Sequence, residues 1–202
     1  MLLELLQKGR SYRRFDHSHK IPAGTLRELI AMARLTPSSG NLQPLKYLLV
    51  HEEKETDQLF GFLRWARYLR DWTGPSGAER PSAYIVVLGD TTIAQSFQYD
   101  AGIAAQTMML GAVELGLGGC ILTSVDRDAL RGTFSIPFHL EILLVLALGK
   151  PVEHVVLEDL PPQGSIKYYR TADGLHHVPK RPLEELVFIP AIDEGGLKED
   201  PA

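Results

Sequence analysis

The chain has 202 residues, 45% of them hydrophobic, and a formal net charge of −4 at pH 7. This predicts a single domain over residues 1–202 with a core that needs no disulfides, and the mild negative charge argues against a nucleic-acid-binding surface. One cysteine, Cys120, excludes an internal disulfide and favours a reducing, cytoplasmic setting, and the longest apolar run, residues 142–148, is too short to span a membrane.

The first predicted elements are two helices and a strand. The stretch LLELLQKG, residues 2–9, is typical of a short amphipathic helix ended by Gly9. A second helix is predicted to begin at Pro22 and to end before Pro37, because the residue before a proline avoids helical angles. Its apolar residues recur at i, i+3, i+4 and i+7: Leu26, Leu29, Ile30 and Ala33. A strand is predicted over residues 46–51.

The middle of the chain predicts a helix over 52–72, a loop over 73–81 and a buried strand over 83–90. Trp65, Tyr68 and Trp72 fall at roughly helical spacing, which favours core packing, with a lid over a flat ligand as the alternative. Residues 99–119 are the most apolar helical candidate, and apolar residues on nearly every side predict burial all round. A short strand over 119–122, a short helix over 126–134 capped by Asp126, and a buried strand over 141–149 follow.

The character of the chain changes after Gly149. Residues 150–182 are rich in proline, charge and histidine, and residues 182–190, PLEELVFIP, are hydrophobic again. A polar stretch of this length is uncommon on a compact domain, so we expect the arm, residues 150–202, to pack on a second copy of the chain, with a floppy tail as the alternative. His176 and His177 lack metal-ligand spacing to other residues, and we expect them at solvent or at an interface.

Two basic clusters are candidates for phosphate binding. The stretch RSYRRF places three arginines within five residues, Arg10, Arg13 and Arg14, with Ser11 between them. Guanidinium groups match phosphate oxygens and stay charged. A solvated basic patch after a helix end is the alternative. A second pair, Lys180 and Arg181, lies in the arm, and the two clusters could converge on one phosphate.

The stretch TPSSGNLQP, residues 36–44, carries more polar groups than a connector needs. Ser39, Asn41 and Gln43 offer donors and acceptors on short side chains, Gly40 permits positive φ, and a proline stiffens each end. Such a loop can pair with the alternating carbonyl and N–H groups of an isoalloxazine edge. An ordinary helix-to-strand loop is the alternative, since turns favour serine, asparagine, glycine and proline.

Taken in order, the motifs RSYRRF, PSSGNLQP, GLGGCILTS, LALGKP and VPKRPLEELV resemble the short-chain branch of the flavin-dependent nitroreductase family. The resemblance implies an α+β fold, a three-layer α/β/α sandwich with a mixed, mainly antiparallel sheet. It implies a homodimer with an exchanged C-terminal arm and two FMN sites at the interface. It also implies a ping-pong oxidoreductase that moves a hydride from NADH or NADPH through flavin N5 to a nitroaromatic, quinone or similar acceptor, without a catalytic side chain.

The resemblance further implies which residues bind FMN. Arg10, Ser11 and Arg13 would reach the ribityl phosphate and the N1–C2=O side of the ring, although Gly9 stands where many members have another arginine. Loop contacts, often from the other subunit, would come from Pro37, Ser38, Ser39, Asn41 and Gln43. A segment beside the ring, with a backbone N–H near N5, would comprise Leu122, Thr123 and Ser124. The late basic pair, Lys180 and Arg181, would close on the phosphate.

Other functions stay open at this point. A divergent flavoenzyme could carry out reductive dehalogenation or flavin-consuming chemistry, and a non-catalytic module could bind FMN for storage or sensing. Cys120 lies in a predicted buried strand, where cysteines are usually inert, so we expect no nucleophilic role for it.

Overall fold

The computed structural model describes residues 1–190. Its helices are α1 (Leu2–Lys8), α2 (Ala23–Arg34), α3 (Glu53–Gly61), α4 (Gln98–Glu114) and α5 (Arg127–Thr133). Its strands are β1 (Phe15–Asp16), β2 (Leu45–Val50), β3 (Ala83–Asp90), β4 (Gly118–Leu122), β5 (Leu140–Pro151), β6 (Val155–Asp159), β7 (Tyr169–Arg170) and β8 (His176–Lys180). No helix in this range is both long and apolar enough to cross a membrane.

The main sheet is built on β5, which pairs with β3 along one edge and with β4 and β1 along the other. Strand β2 pairs with β3 and forms an outer edge of the sheet, and all of these strand pairs are antiparallel. A parallel bridge between Ser11 and Gly119 brings the segment after α1 against β4. The sheet therefore places the first basic motif beside β4.

Alternation along β3 divides the interior into two cores. Ala83, Ile85 and Val87 face one core, which also contains residues of α2 and α4. Tyr84, Val86 and Leu88 face the other core, which contains residues of α3 and α5. Because successive side chains of a strand point to opposite faces, one buried strand supplies both cores and produces the expected three-layer α/β/α sandwich.

The predicted helix over 52–72 is wrong beyond Gly61. The next residues form a backbone pairing with the end of β4: Leu63 bridges Val125, and the Arg64 N–H donates to the Ser124 carbonyl at 3.0 Å. This tertiary pairing takes the place of further helical hydrogen bonds. As a result the three aromatic residues separate, with Trp65 buried in the core as expected, Tyr68 exposed, and Trp72 half-buried.

Helix α4 is shorter and less buried than predicted. It ends at Glu114, and Gly116 takes a positive φ of 73° just after it, a typical helix terminator. The expectation of burial on every side is wrong for the single chain, because Tyr99, Gly102 and Ile103 lie on an exposed face. The other predicted helices and strands agree with the structure to within a few residues at each end, whereas β1, β6, β7 and β8 were not predicted.

Much of the arm packs on its own chain. Strands β6 and β8 pair in parallel, β7 pairs with β8, and these three form a separate small sheet. The apolar residues that follow are exposed, and Phe188 is 87% exposed. The part of the arm over residues 191–202 lies outside the described residues.

Candidate functional site

A cavity of about 310 Å³ lies where the segment after α1 meets β8. Its lining residues are Gly9, Arg10, Ser11, Arg13, Tyr168, His176, Val178 and Lys180. The structure therefore brings together Arg10, Ser11, Arg13 and Lys180, all four of which the sequence nominates for phosphate binding. The volume falls at the lower end of the range of about 300–1,000 Å³ that is typical of ligand sites.

Arg13 is buried in the wall of this cavity, with 9% of its surface exposed. Its Nη1 donates to the Ser11 carbonyl at 3.2 Å, and its guanidinium carbon lies 4.7 Å from the centre of the Tyr168 ring. None of the ion pairs within residues 1–190 includes Arg13. Because a buried cation is costly without an opposite charge, this arrangement favours an anionic ligand.

Glu153 is the nearby carboxylate that could have neutralised Arg13, but its oxygens are engaged elsewhere. The side chain is fully buried, accepts from the backbone N–H of Arg13, and pairs with Arg170 at 3.0 Å. Arg170 in turn lies over the ring of Trp72, with 4.8 Å between the guanidinium carbon and the ring centre. Glu153 thus fixes the backbone of the first motif to the arm, and the Arg13 guanidinium pairs with no carboxylate in the described part of the chain.

His176 was not predicted to belong to this site. The expectation of a solvent or interface position is wrong, because the side chain is fully buried in its own chain. Its Nε2 lies 3.3 Å from Arg13 Nη1. Burial, together with the charges of Arg13, Arg170 and His177, lowers the pKa of His176 from 6.5 to about 4. Sequence periodicity gives no signal for this contact, which joins residues far apart in the chain.

The nitrogen atoms around the cavity have unused hydrogen-bonding capacity. Among the described residues, buried nitrogens without a partner include Arg10 Nε, Arg13 Nε and His176 Nδ1. Buried polar groups are normally hydrogen-bonded. Several such nitrogens around one cavity therefore fit a ligand rich in acceptor oxygens, such as a phosphate.

The polar loop over residues 37–43 has an unusual backbone. Gly40, Asn41 and Gln43 have positive φ values of 56°, 54° and 51°. The loop is held by Asp100, in the first turn of α4, a residue that was not predicted to contribute to a site. The Ser38 hydroxyl donates to Oδ2 at 2.5 Å, and the Ser39 N–H donates to Oδ1 at 3.0 Å. Burial raises the pKa of Asp100, but these hydrogen bonds outweigh it and leave a net lowered pKa.

Within the single chain described here, the loop lies apart from the arginines. Pro37, Ser38 and Gln43 line a second cavity, of about 270 Å³, together with Asp100, and this cavity shares no lining residue with the first. Ser39, Asn41 and Gln43 are exposed. The predicted convergence of loop and arginines therefore requires the loop of another chain.

The segment Leu122–Thr123–Ser124 is placed at the end of β4. The Leu122 side chain is buried in the core, so only its backbone can face a ligand, whereas Thr123 and Ser124 are exposed. Thr123 lines a third cavity, of about 330 Å³. Arg181 lines none of these three cavities and forms an ion pair with Glu185 at 2.9 Å.

Two other kinds of chemistry find no support in residues 1–190. No group of three or more histidine, cysteine, aspartate or glutamate side chains there is placed to hold a metal ion. Cys120 is buried, and burial raises the pKa of its thiol, which opposes thiolate formation.

The chain is similar to known proteins in both sequence and fold. The family model described as the nitroreductase family matches residues 6–150. A Methanothermobacter thermautotrophicus protein, provisionally named an NADH dehydrogenase/NAD(P)H nitroreductase, is 26% identical over 79% of this chain and 82% of its own length. The iodotyrosine deiodinase of Thermotoga neapolitana is 26% identical over 75% of this chain and 89% of its own. A nitroreductase family protein of Clostridium difficile superposes with a TM-score of 0.67 and 22% identity, covering 94% of this chain and 98% of its own.

Proposed function

The chain belongs to the nitroreductase family of oxidoreductases, and from this premise we propose that it binds FMN and uses NADH or NADPH to reduce an electron-poor organic acceptor. When bound, FMN would supply the redox chemistry, taking a hydride at N5 from the nicotinamide and passing it to a nitroaromatic, a quinone or a similar acceptor in a ping-pong scheme. No side chain need act as a nucleophile or general base.

The observation that carries this proposal is the buried Arg13 guanidinium, which lines a cavity and pairs with no carboxylate of residues 1–190. Arg10, Ser11 and Lys180 add two further cations and a hydroxyl to the same cavity. A phosphate monoester near neutral pH carries close to two negative charges and accepts several hydrogen bonds. These residues would hold the phosphate end of FMN and orient the rest of the molecule along β4.

The outer edge of β4 suits the remainder of the cofactor. In the described part of the chain, the segment after α1 bridges β4 at Gly119, and a second isolated bridge joins Val125, beyond the end of β4, to Leu63. The run from Gly119 to Thr123 spans about 13 Å at roughly 3.3 Å per residue. We propose that its backbone faces the flavin ring, with Thr123 and Ser124 at the ring end.

We propose that the complete site forms in a homodimer, because the loop over 37–43 lies apart from the arginine cavity within one chain. The exposed apolar end of the arm is suited to a partner: Leu183, Leu186, Val187, Phe188 and Ile189. A groove between α2 and the edge strand β2 offers it a partly apolar floor with Arg27, Arg34 and Lys46 nearby. These cations complement Glu184 in the arm.

Sedimentation of the full chain tests the dimer. We expect a dimer that Phe188→Asp shifts toward monomer with loss of FMN binding, whereas Ile166→Asp, at an exposed site outside the apolar end, leaves both unchanged. A wild-type monomer that binds FMN fully would contradict the shared site.

An absorbance spectrum followed by anaerobic titration with NADH and NADPH tests the activity. We expect a yellow protein, or a colourless one that turns yellow when FMN is added, and rapid bleaching by at least one nicotinamide. A yellow protein indifferent to both nicotinamides would favour a non-catalytic FMN module instead. A protein that ignores added FMN would refute the proposal.

A second candidate is reductive dehalogenation, which the similarity to a deiodinase favours. Iodotyrosine and a nitroaromatic, offered separately to the reduced protein, distinguish the two. Faster reoxidation by iodotyrosine, with release of iodide, would support dehalogenation.

A further inference from the structure

We propose that His176 is a ligand of the FMN phosphate, donating a hydrogen bond from Nδ1 while Arg13 holds its Nε2. This inference rests on the proposed function and adds a residue of the arm that no family motif in this sequence includes. It names the chemical class of the ligand at this position, a phosphate monoester.

The tautomer of His176 follows from its partner. A guanidinium has N–H groups but no acceptor, so the 3.3 Å contact between Arg13 Nη1 and His176 Nε2 makes Nε2 the acceptor. A neutral imidazole that accepts at one nitrogen carries its proton on the other. Nδ1 therefore bears an N–H, and in the described part of the chain this N–H has no acceptor.

The surroundings of His176 suit an anion. The side chain is fully buried and lines the cavity together with Arg10, Ser11 and Lys180. An N–H donor without a partner in a buried position is costly, and a phosphate oxygen in this cavity would satisfy it. Tyr168 also lines the cavity. Its ring centre lies 5.3 Å from that of His176, which limits how far the imidazole can turn.

The neighbouring histidine provides a matched control. His177 lies on the same strand with the opposite orientation, where its Nδ1 is 3.1 Å from a Glu158 oxygen and its ring stacks on Tyr169 at 4.7 Å. It does not line the cavity. Substitution of His177 therefore reports the cost of removing an imidazole from β8 without removing the proposed phosphate ligand.

The test compares the dissociation constants of FMN and riboflavin, which differ only in the phosphate. We expect His176→Leu to weaken FMN binding by about tenfold to a hundredfold, the typical effect of losing a hydrogen bond to a charged group. Riboflavin binding should change by less than about threefold, because its phosphate-free end makes no such bond. His177→Leu should leave both constants unchanged. Equal weakening of FMN and riboflavin by His176→Leu, or no weakening, would overturn the inference.

Two amide variants keep the test valid if His176→Leu fails to fold. His176→Asn places its amide near the position of Nδ1, and His176→Gln places it near that of Nε2. We expect His176→Asn to retain the preference for FMN over riboflavin and His176→Gln to lose it. The reverse order, or equal preferences, would refute a donor at Nδ1.

Nitrogen-15 NMR of the imidazole gives a readout independent of turnover. We expect the Nδ1–H resonance of His176 to shift when FMN or inorganic phosphate is added, but not when riboflavin is added. A shift with inorganic phosphate in a protein that ignores FMN would support the anion ligand and refute the flavin function. If a nicotinamide bleaches the protein and His176→Leu leaves the preference for FMN over riboflavin unchanged, His176 is not a ligand of the phosphate. The proposed FMN-dependent activity would then still stand.

Discussion

Replacing Asp100 by alanine would remove the carboxylate that fixes the loop over 37–43. The loss comprises two hydrogen bonds, from the Ser38 hydroxyl at 2.5 Å and the Ser39 N–H at 3.0 Å, both to a buried acceptor. Hydrogen bonds to charged groups are worth about 1.5–3 kcal/mol each, and partial replacement by water reduces the sum, so we expect a loss of about 3 kcal/mol. At about 2–4 °C per kcal/mol for a chain of this size, Tm falls by about 6–12 °C.

The assay is thermal unfolding followed by circular dichroism, together with FMN titration. Without the carboxylate, the left-handed backbone of Gly40, Asn41 and Gln43 loses its support, and we expect FMN binding to weaken by more than about tenfold. Asp16→Ala is the control, because Asp16 accepts from Ser18 with similar distances of 3.0 and 2.6 Å and these contacts lie outside the loop.

We expect Asp16→Ala to lower Tm much less than Asp100→Ala does, since water replaces hydrogen bonds in an exposed turn, and to leave FMN binding unchanged. A Tm for Asp100→Ala within about 2 °C of the wild type would refute the reasoning. The pH dependence of stability is a second check. Because the pKa of Asp100 is lowered in the folded state, its stabilisation is present above the unfolded-state pKa of 3.8 and is lost as pH falls through the folded-state pKa. The difference between wild type and variant should therefore shrink in acid.

Three further predictions concern single positions. The pKa of His176 is lowered from 6.5 to about 4, so its contribution to stability is present above pH 6.5 and is lost as pH falls toward about 4. Chemical denaturation across this range should show a smaller decline in the free energy of unfolding for His176→Asn than for the wild type. Gly119→Ala should destabilise the protein by about 1–3 kcal/mol in urea unfolding, since its Cβ would lie 2.5 Å from the Ala147 carbonyl oxygen. Gly132→Ala is the control: its Cβ meets no atom of the described residues within 4 Å, and the change should be neutral or stabilising. Cys120 should react with a thiol reagent only at the rate of unfolding, and fast labelling of native protein would contradict its burial.

Local sequence patterns were sufficient to predict a helix or strand where that element is determined by its own residues. The spacing of apolar residues in α2 and the unbroken apolar run of β5 predicted both elements closely. The end of α3 could not be predicted, because it is decided by pairing with residues around Val125, far away in the chain. Similarly, the apolar residues of α4 predicted burial on every side, because the sequence pattern does not show which of them contact other elements of the fold.

In the candidate site, too, some residues were predicted from their type, whereas others depend on tertiary contacts. Arg10, Ser11, Arg13 and Lys180 were nominated by residue type, and the structure places them around one cavity. The roles of His176 and Asp100 depend on contacts across the fold, with Arg13 and with the loop at Ser38. Neither residue carries a local signal, since an isolated histidine or aspartate is more often an ordinary surface residue.

The walls of the 310 Å³ cavity come from opposite ends of the chain, with residues 9–13 on one side and β8 on the other. Movement of the small sheet of β6, β7 and β8 away from the N-terminal segment would widen the exit for a molecule bound there. Such local opening has its own free energy, below that of global unfolding. The residence time of the ligand would then be governed by how often this sheet detaches, so that dissociation slows or quickens with the stability of the arm.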